Sequence, residues 1–119
     1  MVKVIEKPWG SEVIWAHTNE YVGKILNVNA GHSLSIQYHH KKNETMYVII
    51  GEGKLNLYNM DEDGDPVLQE SIEFKPGMGY NIIPKQIHNL EAITDLVVLE
   101  ASTNHLDDLV RLKDRYNRG

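Results

Sequence analysis

Short apolar or alternating stretches recur along this chain at near-regular spacing: SEVIWA (11–16), YVGKILNVN (21–29), HSLSIQYH (32–39), TMYVII (45–50), KLNLYNM (54–60), LQESIEF (68–74), YNIIP (80–84), HNLEAI (88–93) and DLVVLEAS (95–102). Gly31, Gly51-Glu52-Gly53, Asp63-Gly64-Asp65-Pro66 and Pro76-Gly77-Met78-Gly79 punctuate them. This is the rhythm of an all-β sandwich or barrel of nine or so short strands. The rhythm changes only in HLDDLVRLKDRYNRG (105–119), where Leu106, Leu109, Val110 and Lys113 fall at helical spacing, with Asp107 and Asp108 ahead and Arg115 and Arg118 behind. That polarity suits a helix dipole and predicts a short C-terminal helix.

Within 33–39 the two faces of the strand separate cleanly. Ser33, Ser35, Gln37 and His39 share one side and Leu34, Ile36 and Tyr38 the other. Alternation alone leaves open which side is inward. After a short turn, Glu44 shares its face with Met46, Val48 and Ile50, so a carboxylate stands in line with interior side chains. Such a group needs a counter-charge, hydrogen bonds or a metal if it is buried, and solvent if it is not.

Composition narrows the chemistry. At 119 residues the chain fits one domain over 1–119, with no repeat or linker. The absence of cysteine excludes disulfides, zinc–thiolate sites and cysteine nucleophiles, so any metal is held by nitrogen and oxygen. The net charge of −5, with basic residues interleaved among acids, gives no footprint for nucleic acid. No stretch approaches the ~18 apolar residues of a membrane span and the N-terminus has no signal-peptide pattern, which predicts a cytoplasmic protein. The aspartates at 61, 63 and 65 resemble the start of a calcium loop, but Pro66 and Ile72 occupy the positions where glycine and a bidentate acid are required, so a hairpin turn is expected.

The spacing Gly31, Gln37, His39, Glu44, Gly51 resembles the first motif of the cupin superfamily, G(X)5HXH(X)3,4E(X)6G, with glutamine in the first histidine slot, as phosphomannose isomerases carry it. The second motif is looser: Gly77 to His88 keeps its interval, Pro84 is one position late, Lys85 replaces a glycine and Ala92 an asparagine. KPWGSEVIW and DDLVRLKDRYNR are similar to the opening and closing segments of the cupin domain at the C-terminal end of type II phosphomannose isomerases and mannose-1-phosphate guanylyltransferases.

The resemblance implies a double-stranded β-helix, or jelly-roll barrel, and one divalent ion (Zn, or Mn, Fe, Co or Ni) on Gln37, His39, Glu44 and His88. It implies interconversion of mannose 6-phosphate and fructose 6-phosphate through a cis-enediol. That reaction requires a general base near its working pH. Glu100, His40 and Lys42 are the candidates, against the readings of Glu100 as a paired buried acid, His40 as pointing away from His39, and Lys42 as a solvated turn lysine. For the phosphate, Arg111, Arg118 and Lys24 are candidates, set against surface pairing of the arginines with Asp107, Asp108 or Asp114. Trp9 is read first as a packing residue and otherwise as a sugar-pocket wall or a dimer contact. Cupins host other chemistries, and a non-catalytic metal- or sugar-binding module is the alternative. Barrel edges and the apolar face of Leu34, Ile36 and Tyr38 predict a homodimer.

Overall fold

The computed structural model describes residues 2–118, and its elements are all strands. They are β1 (Lys3–Lys7), β2 (Gly10–His17), β3 (Tyr21–Val28), β4 (Ile36–Tyr38), β5 (Glu44–Ile50), β6 (Gly53–Met60), β7 (Pro66–Phe74), β8 (Gly79–Ile82), β9 (Ile87–Ala92), β10 (Leu96–Thr103) and β11 (Val110–Lys113). Nine correspond to the runs read from the sequence; β1 and β11 are additional. No helix among the described residues is long and apolar enough to cross a membrane.

Two antiparallel sheets face each other, one of order β1-β2-β3-β10-β5-β8 and one of order β11-β4-β9-β6-β7. The non-sequential neighbours, with β10 between β3 and β5 and β9 between β4 and β6, wind the chain into the expected barrel. Leu26, Val48, Leu55, Phe74, Leu90, Leu96 and Val98 meet between the sheets, each at most 2% exposed. The β5–β6 turn depends on Gly51, whose φ is +91° and whose added Cβ would fall 2.0 Å from the Asp95 carbonyl oxygen. Only glycine fits both conditions. The aspartate loop is a hairpin connection in which the Asp61 carboxylate accepts the N–H groups of Asp63 and Asp65.

The C-terminal helix does not form. Val110–Lys113 instead pairs antiparallel with β4 and extends the five-stranded sheet. An isolated helix of two or three turns is marginal, whereas an open sheet edge offers ready backbone partners. Leu109 and Arg111, two apart, line the same cavity, an arrangement that strand period allows.

The faces of 33–39 also resolve. Ser33, Ser35 and His39 are buried, so the polar side is the inward one. Leu34 packs against the core, and Ile36 and Tyr38 are half-buried beside β11, so these three do not make the open apolar face on which the homodimer expectation partly rested.

Candidate metal centre and its charged surroundings

Three strands and one loop converge at one end of the barrel. His39 follows β4 directly, Glu44 opens β5 and His88 lies in β9, and all three are buried. Gln37 stands opposite His88 in the β4–β9 ladder. One ligand atom from each of His39, Glu44 and His88 falls within 4.8 Å of the others.

The ring orientations are fixed from behind. His39 Nδ1 lies 2.6 Å from the Asp108 carbonyl and His88 Nδ1 2.8 Å from the Gln86 carbonyl. Since a carbonyl only accepts, each Nδ1 carries the proton, which leaves the lone pair of the neutral ring on Nε2. Both Nε2 atoms lie 3.2 Å from the same Glu44 Oε1. His88 Nε2 is fully enclosed and has no hydrogen-bond partner. Two lone pairs and a carboxylate facing one another at this range repel unless a cation stands among them, either as ring protons or as a metal. The residues therefore fit a nitrogen and oxygen site for a first-row divalent ion, with Gln37 positioned to add an amide oxygen. Gln37 Oε1 accepts from Ser35 Oγ at 2.7 Å, which orients the amide.

Around this group runs a chain of buried charges. Lys42 Nζ lies 3.3 Å from Glu44 Oε2 and donates to Glu100 Oε2 at 3.2 Å. Lys24 Nζ donates to Glu12 Oε1 at 2.8 Å and lies 4.0 Å from Glu100. Lys7 approaches the other side of Glu12 at 3.9 Å. Burial pushes the Glu100 carboxyl up, the negative charge of Glu44 adds to this, and the lysines offset only part, so it stands at about 8. Burial would raise Glu44 too, but with ring protons on the His39 and His88 Nε2 atoms those two bonds, the Glu100 carboxyl and Lys42 outweigh it and hold that carboxyl well below its usual range. Burial would lower Lys42, and Glu100 and Glu44 more than reverse that.

Gln37, His39, Lys42 and Glu100 line a cavity of about 120 Å³, together with Trp9, Lys24, Arg111 and Arg118. Arg111 Nε is buried and has no hydrogen-bond partner. Arg118 is paired with Asp114, its Nε donating at 2.7 Å. His40 is the candidate that the fold does not bring in. It is exposed on the outside of the barrel, edge-on to Tyr38, because it points opposite to His39.

Three contributors escape a reading of the sequence. Glu12 is buried two residues before the buried Ile14, a signal present in SEVIW as an acid in phase with an apolar position. Lys7 reaches the cavity from β1. Asp108 accepts the backbone N–H groups of His40, Lys41 and Lys42 at 2.9, 2.7 and 2.9 Å, and so fixes the loop that carries Lys42 inward. Lys42 itself is 6% exposed, not a solvated turn lysine.

Solved structures share this fold. The capsular polysaccharide assembling protein CapF from Staphylococcus aureus is 19% identical with a TM-score of 0.79 over 96% of this chain and 32% of CapF. KdgF from a Halomonas species is 18% identical with a TM-score of 0.71 over 88% of each chain. An RmlC-like cupin from Shewanella frigidimarina is 15% identical with a TM-score of 0.69, covering 89% of this chain and 86% of that one. The chain thus spans about a third of CapF, and identities this low establish the fold alone. Among curated protein sequences none matches this chain. The family model described as mannose-6-phosphate isomerase C-terminal matches residues 1–114. Two-sheet barrel, motif order and family match agree, and the chain belongs to the cupin family of the mannose-6-phosphate isomerase C-terminal domain.

Proposed function

We propose that this chain holds one divalent ion on Gln37, His39, Glu44 and His88 and isomerises a sugar phosphate in the adjoining cavity, with mannose 6-phosphate and fructose 6-phosphate as the pair. The observation that carries the reading is the unpartnered His88 Nε2, facing the same Glu44 oxygen as His39 Nε2 at 3.2 Å. A bound divalent ion supplies Lewis-acid stabilisation of negative charge on the sugar oxygens. The remaining chemistry moves one proton from C2 to C1 and one from the C2 hydroxyl to the C1 oxygen. Glu100 lines the cavity and stands at about 8, near the range in which a carboxylate takes a proton from C2 and returns it at C1. Lys42 holds that carboxylate in place at 3.2 Å, and Lys24 approaches the same oxygen at 4.0 Å. Arg111, whose Nε is buried without a partner, and Arg118 offer planar donors to phosphate oxygens. Trp9, 3% exposed, forms a rigid wall for the sugar ring.

A second reading, a metal-holding module without turnover, is favoured by the cavity size: about 120 Å³ is small beside the roughly 300–1,000 Å³ of most small-molecule pockets. Elemental analysis of the purified protein, with Gln37→Ala and His88→Ala alongside, tests the site, and conversion of mannose 6-phosphate by the metal-loaded protein tests the reaction. Stoichiometric metal that both variants lose, with turnover abolished in a metal-loaded Glu100→Gln, supports the first reading. Metal with no turnover selects the second. No metal removes both.

A further inference from the structure

The outer face of the five-stranded sheet carries a groove that shares no lining residue with the charged cavity. Gln37 stands opposite His88 and Tyr58 opposite Ile87, so the antiparallel registers set Tyr38, Ile87 and Tyr58 in one row across β4, β9 and β6. Each is next in its strand to an inward side chain, Gln37, His88 or Leu57, and so points out of the barrel. Ile87, 7% exposed between the two tyrosines, is the floor, and His40, Met60, Lys85 and Gln86 complete a groove of about 470 Å³. That lies within the roughly 300–1,000 Å³ usual for a small-molecule pocket, a range the barrel cavity does not reach.

The groove is held in shape and carries uncommitted polar groups. Tyr58 donates to Asn89 Oδ1 at 3.0 Å, and His40 stands edge-on to Tyr38 with ring centres 5.4 Å apart. Gln86 commits its amide nitrogen to the Tyr58 and Ile87 carbonyls at 3.3 and 2.9 Å, which leaves its Oε1 to accept from a ligand. No Asp or Glu lines the groove, in a chain of net charge −5. Lys85 is exposed and makes no ion pair among the described residues. Its φ is +70°, the left-handed region that favours glycine, and it stands where the second cupin motif has glycine. Its N–H donates to the His39 carbonyl at 2.6 Å, which holds that conformation. Backbone strain of this kind concentrates at ligand clamps and switches, and here it sets a lone ammonium on the rim of the groove.

We propose that this groove binds a phosphorylated heteroaromatic molecule, the chemistry of a mononucleotide, with its flat ring against Tyr38, Tyr58 and Met60 and its phosphate on Lys85. A base presents most of its area as a π face, which phenol rings and a thioether meet without hydrogen bonds. The hydroxyls of a bare sugar would each need a partner once desolvated, and the groove offers few. Gln86 Oε1 suits an N–H at the ring edge. A free ammonium with no acid beside it complements the phosphate charge. The proposal depends neither on the metal centre nor on the isomerase reading, since none of the groove's side chains enters the barrel cavity.

Calorimetric titration of the full chain with the 5′-monophosphates of adenosine, guanosine, cytidine and uridine tests this. At least one is expected to bind once per chain with a Kd of about 100 µM or tighter, and its unphosphorylated nucleoside about tenfold more weakly. Lys85→Gly relieves the strained φ and is expected to melt within a few degrees of the wild type, to lose the tenfold gain from the phosphate and to keep nucleoside binding unchanged. Met60→Glu, at a position 47% exposed, puts a carboxylate on the rim and is expected to weaken the nucleotide more than the nucleoside. Failure of all four monophosphates to bind overturns the proposal. So does a Lys85→Gly that binds the nucleotide as the wild type does, or inorganic phosphate that binds as tightly as the nucleotide. Displacement of the nucleotide by mannose 6-phosphate overturns it as well, by moving the binding to the barrel cavity.

Discussion

The barrel interior has two halves built on the same strands and held by different physics. β3 turns Leu26 and Val28 inward at one end and Lys24 at the other; β10 does so with Leu96 and Val98, then Glu100; β5 with Met46 and Val48, then Glu44; β9 with Leu90 and Ala92, then His88. The apolar half gains from every Å² removed from water and needs only shape. The charged half gains nothing from burial as such, since each ion loses its hydration and recovers stability only through its partners.

The strongest way to break the apolar half is Phe74→Ala. Phe74 is fully buried in the core, and its truncation is expected to cost about 3–5 kcal/mol in urea unfolding. Metal stoichiometry of the folded fraction should stay at the wild-type value, because the ligands sit on the opposite end of β5 and β9. Loss of metal in folded protein would show that the two halves are not separate.

Lys42→Met attacks the charged half with a side chain of similar length. It leaves Glu44 and Glu100 buried without the ammonium that lies 3.3 and 3.2 Å from them. A loss of roughly 3 kcal/mol at neutral pH is expected, the scale of removing one partner from a buried ion pair. The sign with pH separates it from Phe74→Ala. Glu100, already at about 8, then titrates higher still, so the variant goes on losing stability with rising pH after the wild type has levelled off, and the deficit should be larger at pH 9 than at pH 7. A deficit independent of pH would mean that Lys42 acts by packing alone.

This division explains what was legible in the sequence. The strand rhythm reports the apolar half directly, because alternation is the physical requirement of packing there. Gln37, His39 and Glu44 were readable through the spacing of a family motif, since alternation alone left open which side of 33–39 is inward. His88 was readable only through its interval from Gly77, and the ladder that sets it against Gln37 joins segments far apart in the chain. Lys42 read as a solvated turn lysine because its partners Glu44 and Glu100 become neighbours only after β5 and β10 pair. The C-terminal segment read as a helix because its apolar residues fit both periods, and a free edge on β4 decided between them.

Asp108→Asn is the mildest intervention, since it alters the support of the charged half and none of its charges. The Asp108 carboxylate accepts the N–H groups of Lys41, His40 and Lys42, and these bonds hold it well below the usual range of an aspartate. A depressed folded-state pKa contributes stability that is complete above the unfolded value near 3.9 and is lost as pH falls toward the folded one. Wild type is therefore expected to melt a few degrees above Asp108→Asn at pH 7, with the gap closing as pH drops below about 4. Because the loop carries Lys42 inward, the variant should also weaken metal retention at pH 7 while leaving the four ligands intact. Equal metal retention in the two proteins would show that the ligands are placed by their strands alone, and would confine Asp108 to holding the loop.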